Sequence, residues 1–465
     1  MLIKPESRNR LLLPPGIISA ILSISFLFVG CASGPDVNID IDAGNYKAAA
    51  DAAAEEKNSD AELDEANLLP TLQAGNLYLY AQDYKTSLKM LDEAEDIVKY
   101  HNEEILLGST GDMIARLMLN DAVIDYHATI TDAVMINTYK SLDYMILGKF
   151  AEARVELNRA VDRQRRAKET YAELIGKQKE AINQKAKEES SSYNVNKTVN
   201  NPQLARLIKD QYPGLYTFQA YPDFINPFTT YLAGLFFMIE GDYNKAYSLL
   251  REANGMMPAN QTLETDFQMA KARHLDNNYV WVIYENGLSP IKKEFRVDIP
   301  LFIVSNNISY TGIALPRMEM RSQATVNLSV ASGGKTVGTT EVVADMDRVI
   351  LTEFHYSYPD IVTRAVFSAL IKTAMQYELG KQNSYAGLAA ALFQMASTQA
   401  DTRTWRSIPK EFQVTRVKMP RDHKLTLHSG LHNMEVEIDR NAKHAIIYVR
   451  IPTARSRPSY SVINF

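Results

Sequence analysis

Three stretches of the chain repeat one order of small and large apolar positions. In 229–258 it runs Gly234, Phe237, Tyr243, Ala246, Leu250, Ala253 and Pro258, with Gly241 and Asp242 between two helix-period segments. In 72–95 it runs Gly75, Tyr78, Tyr84, Ser87, Leu91 and Ala94, and in 136–160 Tyr144, Gly148, Phe150, Ala153, Leu157 and Ala160. A fainter copy, Gly44, Tyr46, Ala49 and Ala53, matches a second helix only. Small residues such as Gly234 and Ala246 let two antiparallel helices approach, and Phe237, Tyr243 and Leu250 fill the space around that contact. A single hairpin of this kind cannot bury its apolar face, so each copy requires neighbours.

This is the small–large pattern of a tetratricopeptide repeat. The copies are not evenly spaced, so further helices must lie between them. Residues 114–128 read as one extra helix, and 263–275 as a last helix closing the array. The helix that begins at Phe150 continues through RQRRAKETYAELIGKQKEAINQKAKEE, where charges alternate and apolar residues are few. That composition predicts a solvated projection. Residues 190–201 read as a polar loop. Residues 204–224 carry Pro213, Pro222 and five aromatic rings. They read as an irregular segment, either a recognition loop or a cover for helix ends.

After Asn278 the period changes from helix to strand. Tyr279–Glu285 is a dense β-type run closed by Asn286-Gly287, and Phe295, Val297 and Ile299 alternate after it. Strands are predicted at 318–321, 324–331, 335–343, 412–419, 424–428, 434–438 and 445–451, with Gly333-Gly334 as a hairpin turn. Between the two sets, 361–379 is amphipathic at helical spacing, and 385–398 is apolar and rich in small residues. The second run is too short to span a bilayer, and the pair reads as a helical hairpin packed on a sheet face. The fold class expected is α+β, with a tetratricopeptide-like α-solenoid over 43–276 followed by a β-rich, sandwich-like domain over 277–465, with a helical insert near 358–400.

The amino terminus adds an address. Lys4, Arg8 and Arg10 precede a mostly apolar stretch from Leu11 to Val29, and Gly30 stands before Cys31. A basic start, an apolar core and a small residue before the cut describe a secretory signal over 1–30. Cys31 placed there resembles a bacterial lipobox, which implies diacylglycerol on its sulfur, cleavage before it and acylation (palmitate or a similar chain) of the new amine. Phe28 departs from the usual Leu. Ala32 after Cys31 implies export to the outer membrane, and 31–42 reads as the lipidated cysteine and a tether. Cys31 is the only cysteine, so the chain can form no internal disulfide.

Charge and composition narrow the function. The formal net charge is −5 with no block of like charge, and removal of 1–30 would leave about −7. No basic stripe marks a nucleic-acid partner. No G-x-S-x-G, H-E-x-x-H, P-loop or paired-cysteine zinc motif occurs. His423, His428 and His432 invite either a metal site or a surface hairpin. Asp345, Asp347, Glu353 and His355 form a second polar group, ahead of a helix whose start would favour acids. Asp401, Arg403 and Trp405 form the sharpest motif. They read either as a ligand-facing arginine beside an aromatic wall or as an ion pair locking the chain's return to the sheet, with Trp405 in the core.

The chain resembles a family of repeat-containing lipoproteins of Gram-negative bacteria. The resemblance rests on Tyr279-Val280-Trp281-Val282 with Glu285-Asn286-Gly287, on Ile299-Pro300, Leu315-Pro316, Asp347, Glu353-Phe354, Pro359, Arg364 and Lys372, and on Asp401-Thr402-Arg403-Thr404-Trp405 with Pro409. It implies location and architecture rather than chemistry. The expectation is an outer-membrane, periplasm-facing, lipid-anchored adaptor without catalytic residues, metal or cofactor. Its partners would be an envelope protein or peptide held by the repeats, and membrane lipid reached through the anchor. The rival is an enzyme or ligand-binding module in the β-domain acting on envelope glycan or peptide.

Overall fold

The computed structural model describes residues 37–57, 65–107, 126–188, 198–216, 220–221, 224–275, 278–302, 308–382 and 398–465. Val37–Phe465 cluster as one compact unit. Cys31, the leader, most of the helix expected at 114–128, most of the loop at 190–201 and nearly all of the apolar run at 385–398 lie outside the described residues. The architecture is mixed helix and sheet, as the periodicity implied. No helix among the described residues is long and apolar enough to cross a membrane.

Among the described residues, four helical hairpins open the unit: α1 (Val37–Ala43) with α2 (Tyr46–Glu55), α3 (Leu68–Tyr80) with α4 (Tyr84–Leu107), α5 (Ile130–Ile146) with α6 (Phe150–Glu188), and α8 (Pro227–Ile239) with α9 (Tyr243–Met256). The faint first copy thus has both of its helices. Each hairpin turns at one left-handed residue, Gly44, Gln82, Gly148 or Gly241, with φ between 64° and 82°. In each turn the next residue's N–H reaches back to a carbonyl of the preceding helix: Asn45 to Asp40 at 2.8 Å, Asp83 to Tyr78 at 2.9 Å, Lys149 to Tyr144 at 2.8 Å and Asp242 to Phe237 at 2.8 Å. These bonds satisfy carbonyls that a helix end leaves open.

The repeat's glycines serve two different purposes. At Gly148 and Gly241 a Cβ would meet nothing, so only the positive φ asks for glycine. At Gly75 and Gly234 the backbone is ordinary but space is short. A Cβ on Gly75 would lie 2.6 Å from Leu91 Cδ2, and one on Gly234 would lie 2.8 Å from Leu250 Cγ. The expected helix–helix approach is therefore present, and Tyr84, Phe150, Phe237, Tyr243 and Ala246 pack in the same apolar cluster.

Helix α10 (Gln261–Ala272) follows the last hairpin. Residues 204–224 are not wholly irregular: α7 (Pro202–Gln211) is a helix capped by Asn201, with Pro202 in its first turn. Proline in that position begins a helix, because the missing N–H would have been unpaired anyway.

Among the described residues, eleven strands form three sheets. The largest has the order β11 (Ser459–Asn464), β10 (Ala445–Ile451), β1 (Tyr279–Asn286), β7 (Glu411–Lys418), β6 (Glu341–Asp345); β1 and β10 run parallel and the other pairs antiparallel. A four-stranded antiparallel sheet has the order β5 (Lys335–Thr339), β4 (Ser329–Ser332), β8 (Lys424–His428), β9 (Asn433–Glu437). The hairpin of β2 (Ile291–Phe302) and β3 (Ile308–Glu319) stands apart. The sequence reading misses β11 and joins β5 to β6. It also starts the helical insert too late. The helix α11 spans Met346–Gln382 and contains Pro359, so Asp347, Glu353 and His355 lie on its first turns rather than ahead of it.

The large sheet is buried on both faces, which explains why Tyr279–Glu285 reads as an unbroken apolar run instead of an alternation. Val280, Val282, Tyr284, Ile447 and Val449 pack against Val330, Leu425, Leu427, Met434 and Val436 of the four-stranded sheet. The opposite face, with Trp281, Ile283, Phe412, Val414, Ile446 and Tyr448, packs with α3, α5 and α8. A third cluster joins β2 and β3 to α7 and α11 through Phe295, Leu315, Phe354, Val366 and Phe367.

Candidate functional site: the seam between helices and sheet

The first helices of the later hairpins, α3, α5 and α8, are buried nearly all round. Every residue of α3 from Thr71 to Tyr80 and every residue of α8 from Pro227 to Met238 is buried. One side meets the second helix of the hairpin and the other meets the large sheet. At this seam Phe228 of α8 stacks on Phe412 of β7 with centroids 3.5 Å apart and planes 2° from parallel. Phe150 stacks on Phe465 at 4.8 Å.

Polar side chains sit inside this apolar contact. Strand period two places Glu285 on the helix-facing side of β1 with Trp281 and Ile283. Its Oε1 accepts from the Tyr80 hydroxyl of α3 at 2.7 Å and from the Tyr139 hydroxyl of α5 at 2.6 Å. Its Oε2 accepts from the Tyr448 hydroxyl of β10 at 2.6 Å. One carboxylate thus ties two repeat helices to the sheet. Arg450, also fully buried, donates from Nη1 to the carbonyls of Glu285 (3.1 Å) and Gly287 (2.6 Å) and from Nη2 to that of Ser407 (3.1 Å). Its guanidinium lies 5.2 Å from the Tyr80 ring centroid. Burial pushes the Glu285 carboxyl up, against the pull of Arg450 and the tyrosine hydroxyls. Hydroxyl donors and an opposite charge are what make a buried carboxylate tolerable.

A second knot lies along the same seam. Asp266 of α10 accepts from Arg416 Nη1 of β7 at 2.7 Å, from the Tyr231 hydroxyl of α8 at 2.8 Å and from Trp281 Nε1 of β1 at 3.0 Å. Its carboxyl is pushed up to about 6, chiefly by burial and against Arg416.

The sharpest sequence motif divides between core and surface. Trp405 is buried in the seam, 5.8 Å edge-on from Tyr139. Its Nε1 meets Asn76 Oδ1 at 3.2 Å and Ser407 Oγ at 3.0 Å, and Asn76 donates to the Tyr80 hydroxyl at 3.2 Å. Trp405 is therefore a neighbour of the Glu285 knot. Arg403 and Asp401 instead form a half-exposed ion pair, Nε to Oδ1 at 2.9 Å, with the Arg403 N–H also reaching Oδ1 at 3.0 Å. Asp401 lines a cleft between α11 and β3, together with Pro316, Arg364, Ser368 and Lys372.

The remaining candidates take up separate places. His423 pairs with the Asp439 carbonyl and His428 with Asn433 Oδ1, and among the described residues no group of three or more His, Cys, Asp or Glu is arranged to hold a metal. Glu353 of α11 caps α5, accepting from the N–H groups of Ile130 (2.6 Å) and Thr131 (3.0 Å) and from the Thr131 hydroxyl (2.8 Å). Asp347 pairs with Lys410. Pro258 follows the end of α9.

Sequence reasoning passed over Tyr80, Tyr139, Asp266, Arg416, Tyr448 and Arg450, and singled out Glu285 only for the resemblance. A signal existed: Glu285 and Arg450 are charges inside apolar runs, YVWVIYEN and AIIYVRI, at inward-facing positions. Neither a family model, nor a curated protein, nor a solved structure matches the chain.

Proposed function

We propose that the protein is a lipid-anchored, non-catalytic scaffold of the bacterial envelope, held through Cys31 and belonging with the repeat-containing lipoproteins it resembles. In this reading the hairpins are tetratricopeptide-like repeats and the two larger sheets are a sandwich docked on them. The observation that supports it is the recurrence of one turn in the four hairpins and of one close helix approach at Gly75 and Gly234, features that a stacked array would need. The first-helix face, where such arrays commonly take a peptide, is filled here by the chain's own sheet. The partner, an envelope protein or peptide, is therefore assigned to the outward helices α2, α4, α6 and α9. Tyr100 of α4 and Val155 of α6 are large apolar side chains about half exposed there.

The test is photo-crosslinking in living cells. A photoreactive residue at 100 or 155 should capture the same discrete partner, and one at 139 should yield only products within the chain. Capture at 139 with none at 100 or 155 would move the partner to the inner face and overturn the assignment.

A second reading places a ligand in the cleft of α11 and β3. It is favoured by one observation: Pro316 of β3, Arg364 and Lys372 of α11, and Asp401 after it, from three separate segments, meet at that cleft. Under that reading Arg364→Ala would leave melting unchanged and abolish complementation of a deletion strain. Unchanged complementation would remove it.

A further inference from the structure

One edge of the large sheet differs from the rest of this acidic chain. The parallel strands β1 and β10 end together there, with Asn286 beside Ile451. The loops that follow them and the segments 320–323 and 406–410 gather at the same edge. Gly287 N–H donates to the Ile451 carbonyl at 3.0 Å, Lys410 N–H to the Asn286 carbonyl at 3.0 Å, and Arg321 donates to the carbonyls of Ser289 and Arg406. Arg406, Arg455 and Arg457 are exposed on it. So are Ile39 (67 % accessible) and Met320 (50 %). Of the acids of α1, Asp42 acts on Arg321 and Asp40 accepts from the Asn45 side chain.

The first described residues also lie at this edge. Ser456 Oγ donates to the Ile41 carbonyl at 2.9 Å, and the Tyr46 hydroxyl donates to the Arg457 carbonyl at 2.6 Å. Gly44 lies so close to the Arg457 backbone that a Cβ would sit 2.4 Å from its nitrogen. The chain from Cys31 to Val37 can extend no further than about 20 Å. Given a lipid on Cys31, this edge cannot leave the bilayer surface by more than that reach.

We propose that this edge is a membrane-contact surface, on which Arg406, Arg455 and Arg457 bind the phosphates of anionic lipid headgroups while Ile39 and Met320 enter the interface. The inference rests on the anchored reading of Cys31. Guanidinium groups pair with phosphate through several N–H donors at once. Basic residues mixed with exposed apolar ones, next to an anchor, are the pattern that adds a second membrane signal to a lipid chain.

The test uses the full-length lipidated protein in bilayer nanodiscs of phosphatidylcholine alone or of equal parts phosphatidylcholine and phosphatidylglycerol. Hydrogen exchange is followed in 403–408 and 452–458, and a clickable fatty acid reports the anchor. Each arginine at an anionic surface contributes roughly fivefold. Exchange in both segments should therefore slow by about tenfold or more in the anionic discs only. Reversing Arg406, Arg455 and Arg457 to Glu should remove the slowing without lowering the melting temperature. A labelled protein that exchanges identically in both discs would overturn the headgroup contact and leave the anchor standing. A protein that takes up no label would overturn both.

Discussion

The two faces of the large sheet are built differently. The face toward the four-stranded sheet is held mainly by aliphatic side chains such as Val280, Val282, Ile447 and Val449, with Tyr284, and at one end Asn286 and Gln413 bond to Thr325, Val326 and Thr340 of the chain leading into and out of that sheet. The face toward the helices is as apolar in bulk, but it carries Glu285, Arg416, Tyr448 and Arg450, each bonded to a named partner. Apolar contact is non-directional and tolerates small shifts. A carboxylate that must meet hydroxyls from α3, α5 and β10 accepts one relative placement. Apolar contact dominates the first face, and on the second a buried carboxylate bonded from three elements adds register. Side chains bonded across the contact from both layers explain why the helices and the sheet form one unit.

The largest effect expected from breaking this contrast is Glu285→Ala. It leaves Arg450 buried without its opposing charge and strands the hydroxyls of Tyr80, Tyr139 and Tyr448, a loss of about 3–5 kcal/mol. Low steady-state protein and a sharply lowered melting temperature are expected, and a melting curve like wild type would show that the knot does not hold the seam. On the other face, Leu427→Ala should cost about 2–4 kcal/mol through lost contact and the cavity left behind. It should do so equally at every pH, since no titrating group faces Leu427 from the opposed strand positions Val330 and Met434.

The helix-facing side should answer to pH. The Asp266 carboxyl is raised in the fold to about 6 from an ordinary 3.8, so the folded chain holds this proton more tightly than the unfolded chain does. Its contribution is fully present below about pH 4 and is lost as pH rises through about 6, a change of about 2–3 kcal/mol. Asp266→Asn should flatten the dependence of melting temperature on pH between those limits. An unchanged slope would remove Asp266 as its source.

Within the helical layer, Gly234→Ala should cost about 1–3 kcal/mol, because the new methyl meets Leu250 in a closed space. Gly241→Ala strains only a turn, and the two variants compared by denaturant midpoint separate close approach from backbone conformation. Equal midpoints would erase that distinction. The smallest effect is expected at Arg403. Its pair with Asp401 is 32 % and 23 % exposed, so solvent screening leaves at most about 1 kcal/mol. Trp405→Ala, two residues away but in the seam, should lose about 3–5 kcal/mol. Comparable losses at the two positions would mean that the motif acts as one structural piece.

Much of this was legible in the sequence where local chemistry fixes geometry. Gly148 and Gly241 mark left-handed turns, and Gly75 and Gly234 mark close approach, because no other residue meets those demands as easily. Gln82 adopts the same turn without glycine, and the apolar residues around it carried the recognition instead. Strands β8 and β10 followed from their alternation or dense apolar character. What was not legible depended on distant pairing. The strand β11 is short and half-polar, and its pairing with β10 decides it. The start of α11 was hidden because the acids at 345–353 read as lying ahead of a helix start, whereas the helix begins at Met346 and holds Pro359 within it. The covering of the repeats' inner face left no local mark, since a helix buried on two sides has the same composition whether its second neighbour is a helix or a sheet. Only Glu285 and Arg450, charges amid apolar runs, hinted at the knot.

The central claim is that the seam makes helices and sheet one cooperative body. Native-state hydrogen exchange of the full chain across a denaturant series tests it directly. The account predicts that amides of α3, α5 and α8 merge with those of β1 and β10 into a single opening, with the same free energy and the same denaturant dependence. Helices that open at lower denaturant while β1 and β10 stay protected would contradict it.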